Sequence, residues 1–150
     1  METGKAKQIA LERFKEKFNC AEATLMGLAE AEGLRCNCIP RIATAFGGGI
    51  SGQGEVCGAL TGAAMALGLR CGRDRADDLE AKSVTYRKVR EMHEAFQEKF
   101  GSIRCIDLVG FSLMTPEGIA RANELDLHNN LCPDFVGFVA EVAERLMKNG

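Results

Sequence analysis

Seven cysteines stand in this 150-residue chain, and four of them share a position that changes what a thiol can do. Cys20 follows Asn19, which reads as a helix N-cap with Glu22 three residues on. Cys57 falls in the first turn of a helix that follows a glycine run, Gly47 to Gly54. Cys105 is the third residue after Ser102, a candidate cap, and Cys132 sits at or beside the N-cap ahead of Pro133. A helix N-terminus offers unpaired N–H groups and the positive end of the helix dipole. Both favour thiolate over thiol, so these four groups are expected to ionise below the ordinary thiol range. The thiolate is the form that binds metals, attacks disulfides and is oxidised. Four thiolates at one centre would also gather negative charge, which four helix starts would partly offset.

The other three differ. Cys36 and Cys38 follow the end of the second predicted helix, and Cys71 follows the end of the glycine-rich one, where the dipole disfavours a thiolate. They read as packing, loop or auxiliary thiols, and Cys36-Asn37-Cys38 has the spacing of a chelate or a strained disulfide. No C-x-x-C pair exists, so local spacing gives little support for zinc, and any shared site must be assembled from distant segments.

The elements that must do the assembling are helices. Apolar residues recur at helical spacing over residues 5–18, with Ile9, Leu11, Phe14 and Phe18 as the stripe. A second helix is expected over 20–32, stopped by Gly33, and Pro40 opens a short one to Phe46. The glycine-rich helix covers 56–69. Its small residues Gly58, Gly62 and Ala66 make a smooth face for close backbone approach or for a homodimer. Asp74 is the expected cap of the longest helix, 75–100, whose apolar line runs through Leu79, Tyr86, Val89, Met92, Phe96 and Phe100. Shorter helices follow at 102–109 and from Thr115-Pro116-Glu117, and the last runs from Cys132 to about Met147. No stretch alternates with period two. The expected class is all-α, a single-domain bundle over residues 1–150 with about six to eight helices and a glycine-rich loop.

Composition narrows the function. The net charge is −2 with no basic face, so nucleic acid is not an expected partner. The longest run of apolar and small residues, 56–69, is too short and glycine-rich for a membrane span, and the charged N-terminal stretch lacks a signal-peptide core. The chain is expected to be cytoplasmic. There, seven cysteines read as metal ligands or redox thiols rather than structural disulfides. Gly47-x-Gly49-x-x-Gly52 with Asp74 downstream imitates a dinucleotide fingerprint, but no strand or βαβ unit surrounds it. Glu55 stands where a phosphate-binding loop needs lysine. The glycines instead let the chain turn into the Cys57 helix, pass close to a neighbour and offer free N–H groups to sulfur. His93 reads as a core histidine, and Asp77-Asp78 as first-turn acids of the long helix.

Phe18-Asn19-Cys20-Ala21-Glu22, the glycine run, Cys57-Gly58-Ala59-Leu60-Thr61-Gly62, and the later single cysteines Cys105 and Cys132 together resemble the redox-active proteins named for the C_GCAxxG_C_C pattern. The resemblance implies that Cys20, Cys57, Cys105 and Cys132 are the functional set. It also implies a redox role beside a partner protein or oxidoreductase. Split-Soret cytochromes look like relatives, but no C-x-x-C-H haem motif exists here: His93 follows Met92 and His128 follows Leu127. The first expectation is a [2Fe–2S] iron–sulfur cluster held by the four thiolates for electron transfer, supported by Gly47, Gly48, Gly49, Gly54, Gly58 and Gly62. The alternatives are a metal-free thiol–disulfide couple, and a helical interaction module with structural zinc or merely buried cysteines.

Overall fold

The computed structural model describes residues 4–149. Among them are eight α-helices, one 3-10 helix and no strand, as the all-α expectation requires. The helices are α1 (Lys5–Lys15), α2 (Cys20–Glu32), α3 (Gly58–Cys71), α4 (Leu79–Phe100), α5 (Cys105–Val109), α6 (Pro116–Leu125), α7 (Leu127–Asn130) and α8 (Cys132–Lys148). The 3-10 helix, Arg41–Phe46, follows a cis Ile39–Pro40 bond. Helix α2 packs between α1 and α3, and α8 lies against all three.

The core between these helices is built largely from alanine. Ala6, Ala10, Ala21, Ala23, Ala59, Ala63, Ala66, Ala140 and Ala143 are buried, filled out by Leu25, Leu28, Leu60, Leu67 and Val136. Small side chains let helix backbones approach. A Cβ built on Gly27 would lie 2.6 Å from the Ala10 Cβ, and one on Gly62 would strike the Ala21 carbonyl oxygen. The buried stripe of α1 is Ala6, Ala10 and Phe14: Phe14 is covered as expected, Leu11 and Phe18 pack half-buried at its margin, and alanines take the remaining core positions where α2 comes close. The face Gly58, Gly62 and Ala66 is likewise spent within the chain, where α2 covers it, and is not free for a second copy.

Two buried charges pin the outer helices to α8. The Glu144 carboxylate accepts from the Gly4 N–H at 2.7 Å and the Ala6 N–H at 3.3 Å, satisfying the start of α1. The Lys88 ammonium donates to the Leu146 and Asn149 carbonyls at 2.7 and 2.6 Å, at the negative end of α8.

Three helix starts depart from the sequence reading. Asp78, not Asp74, caps α4 by accepting from the Ala81 N–H at 3.1 Å. An exposed turn occupies the intervening residues, held by Arg73 donating to the Ala76 carbonyl at 2.8 Å. The apolar line of α4 is buried only at Met92 and Phe96, while Leu79 (68%) and Tyr86 (51%) are exposed. Helix α3 begins two residues late, at Gly58, because Val56 pairs with Arg104 in an isolated antiparallel bridge. Helix α5 begins at Cys105 rather than at Ser102, whose hydroxyl accepts from the Arg104 N–H and donates to Asp107.

Two substitutions test this packing by urea unfolding. Gly62→Ala is expected to cost about 1–3 kcal/mol, since its methyl group must displace a backbone. Thr24 is wholly buried on α2 with no partner for its hydroxyl, so Thr24→Val is expected to raise stability by about 1 kcal/mol.

Candidate thiol site

Cys20 is placed by local chemistry. The Asn19 side chain accepts from the Glu22 N–H at 2.9 Å, and the Glu22 carboxylate accepts from the Asn19 N–H at 2.9 Å. This closed capping box makes Cys20 the first residue of α2. The same two side chains grip the 3-10 helix: Asn19 donates to the Thr44 carbonyl at 3.0 Å, and the Thr44 hydroxyl donates to Glu22 at 2.6 Å. The glycine loop therefore leaves Phe46 beside Cys20. A Cβ on Gly47 would lie 2.5 Å from the Asn19 amide nitrogen.

The loop then folds back on itself. The amides of Gly52, Gly54 and Glu55 donate to the carbonyls of Gly47, Gly48 and Gly49. Gly49 has a φ of +72°, and a Cβ there would sit 2.5 Å from the Glu55 nitrogen and 2.8 Å from the Cys105 Cβ. Only glycine meets both demands. Past the loop, the Cys57 N–H donates to the Ile103 carbonyl at 2.8 Å. The Cys105 N–H donates to the Glu55 carbonyl at 2.7 Å, and the Ile106 N–H to Gly54 at 3.1 Å. Cys57 and Cys105 thus ride on two backbone segments bonded side by side. Gly58 brings in the third thiol, since a Cβ there would lie 2.5 Å from the Cys20 sulfur. Cys132 opens α8, whose start is approached by α7. In α7, His128 stacks on Phe14 at 3.8 Å and bonds its carbonyl at 2.6 Å.

The four thiols are all free and lie within reach of one another's charge. A thiolate at Cys20 raises the pKa of Cys57, Cys105 and Cys132, and one at Cys105 raises those of Cys57 and Cys132. The expected lowering of these pKa values is overturned. Burial is the largest cause in each case, and it pushes Cys20 up, Cys57 well up, Cys105 to about 11 and Cys132 to about 12. The helix-start effect is present but smaller. The N–H groups of Gly48, Cys20, Ala21 and Gly58 favour the Cys20 thiolate, and those of Ala59 and Leu60 favour that of Cys57. Among the described residues, no group of three or more His, Cys, Asp or Glu is arranged to hold a metal ion.

The remaining candidates lie elsewhere. Cys36 and Cys38 form a disulfide, and Cys71 ends α3 as a free, partly exposed thiol. His93 is half-buried on a groove between α3 and α4, and burial lowers its pKa. The bridge between Val56 and Arg104 was not visible in the sequence, because a single extended pair carries no periodicity.

Residues 18–146 match the family model described as "Putative redox-active protein (C_GCAxxG_C_C)". A protein of Archaeoglobus fulgidus, described only as an uncharacterized protein, is 36% identical over an alignment of 114 residues that covers 71% of this chain and 76% of that protein. No solved structure matches the chain. Among the described residues, no helix is long and apolar enough to cross a membrane.

The raised thiol pKa values set the sign of the alkaline response. Neutral Cys105 and Cys132 contribute stability that is complete below their ordinary value of 9.0 and is lost as pH rises toward about 11 and about 12. Melting temperatures of the reduced, metal-free protein are expected to fall above about pH 9. The fall should be shallower in Cys105→Ser and Cys132→Ser. A flat profile in the unsubstituted protein would contradict burial as the cause.

Proposed function

The chain belongs to the C_GCAxxG_C_C family of redox-active proteins, and from that premise we propose that Cys20, Cys57, Cys105 and Cys132 form one redox centre. The favoured occupant is a [2Fe–2S] cluster that carries electrons to a redox partner protein or oxidoreductase. The observation that supports this most is the gathering of four free thiols from four distant segments, each within the field of another. Four cysteines are the usual ligand set of such a cluster, so the donors fit in kind and number. Among the described residues they do not close on a single ion.

Bound there, the cluster would supply a one-electron couple. The chain's own part is to hold charge and exclude water. Thiols raised by burial must give up protons to become ligands, so uptake is expected to release protons and strengthen with pH. The N–H groups of Gly48 and Gly58 favour the Cys20 thiolate and would help to hold its negative charge.

A second reading keeps the thiols and removes the metal: two of the four would cycle between thiol and disulfide. It draws on the same finding that no three ligands close on an ion. Anaerobic reconstitution with iron and sulfide separates the two. Bound iron and sulfide with visible absorption that bleaches on reduction, lost in Cys20→Ser and Cys105→Ser, supports the cluster. Iron-free protein that loses one pair of titratable thiols on mild oxidation supports the couple. Stoichiometric zinc, or thiols inert to both treatments, overturns the redox assignment.

A further inference from the structure

Cys36 and Cys38 are bonded to each other in the loop between α2 and the 3-10 helix, apart from the four-thiol set. We propose that this bridge is a second redox centre, which exchanges two electrons with an external dithiol independently of the site described above. Its place in the chain speaks against a staple. A disulfide with one residue between its cysteines closes so short a loop that it constrains the unfolded chain little. Access and preorganisation speak for exchange. Both cysteines are partly exposed, with exposed Arg35 and Asn37 beside them. Cys38 forms part of an apolar cavity of about 260 Å³ with Leu25, Ile39, Ile42, Met65 and Leu69. Ile42 (52%) and Leu69 (43%) leave that cavity's rim open to solvent.

The two sulfurs are not equivalent. The Cys38 N–H donates to the Cys36 sulfur at 3.4 Å, so negative charge is better accommodated on Cys36. The incoming thiolate therefore attacks Cys38 from the cavity side. A bond forms between the donor sulfur and Cys38, the bond between Cys38 and Cys36 breaks, and its electron pair leaves on Cys36. The donor's second thiolate then attacks the donor sulfur of this mixed disulfide and releases Cys38. The donor becomes a disulfide, and Cys36 and Cys38 take up two electrons and two protons. The loop keeps them positioned to close again. The Ile39 N–H donates to the Cys36 carbonyl at 3.1 Å, and the Ile42 N–H anchors the Cys38 carbonyl to the 3-10 helix at 2.8 Å.

Dithiothreitol on the native protein tests the proposal, with alkylation and mass mapping of the tryptic peptide 36–41 separating this pair from the other thiols. Two alkyl groups on that peptide without denaturant, and full return of the bridge with glutathione disulfide, are expected. The result should be the same in Cys20→Ser, where the other centre is broken. A bridge that yields only after denaturation, or that fails to reform, overturns the proposal. A brief pulse of glutathione, quenched in acid, should leave its adduct on Cys38 at least several-fold over Cys36. An adduct chiefly on Cys36 overturns the order of attack.

Discussion

The close contact of α3 with α2 is the constraint on which the rest depends. At Gly62 the two backbones touch with no room for a methyl group, and one turn earlier Gly58 lies against the Cys20 sulfur. Close packing and the thiol site are therefore one feature seen at two heights of the same interface. Helix α3 can reach α2 only if its first turns carry no bulk, and once it does, the start of α3 delivers Cys57 and the Gly58 amide to Cys20. The bridge from Val56 to Arg104 then carries Cys105 to the same place.

This interface also decides the electrostatics. Six amide N–H contributions favour thiolates at Cys20 and Cys57, which is what helix starts are expected to do. Burial outweighs them at both sulfurs, and Cys57 is only 4% exposed. A dipole acts through the first turn of a helix, whereas removal from water acts on the whole charge. The resting site therefore holds neutral thiols under a set of amides that only a charged sulfur would use fully. That combination suits a group that ligates or is oxidised, and it fits poorly with thiols kept only as small core residues.

How much of this was legible in the sequence follows from range. The capping box at Asn19 and Glu22, the proline start at Thr115-Pro116, and the glycine stops are local, and each appears where its residues imply. The grouping of Cys20, Cys57, Cys105 and Cys132 at helix starts was visible for the same reason, with Cys57 moved to the cap itself. The sign of their pKa shift was not, because burial is a property of the assembled core. The burial of Ala6 and Ala10 on α1 and the exposure of Tyr86 on α4 are not legible on similar grounds, since which residues are covered depends on how near the next helix comes.

The same sorting separates the two thiol chemistries of the chain. Cys36 and Cys38 lie beyond the end of α2, outside the buried interface, with a neighbouring amide on one sulfur and an apolar cavity beside the other. Nothing there demands that the thiols stay neutral or wait for a charged ligand, and they are already paired. Cys20, Cys57, Cys105 and Cys132 remain unpaired, with Cys57 buried and the other three half-buried. Position along α2 thus separates the two sets: its first residue, Cys20, sits at the contact with α3. The loop after its last turn carries the bonded, partly exposed pair Cys36 and Cys38. Thiol exchange would need access for a reductant and a ligated centre would need shielding from water, so the two proposals make opposite demands on their surroundings.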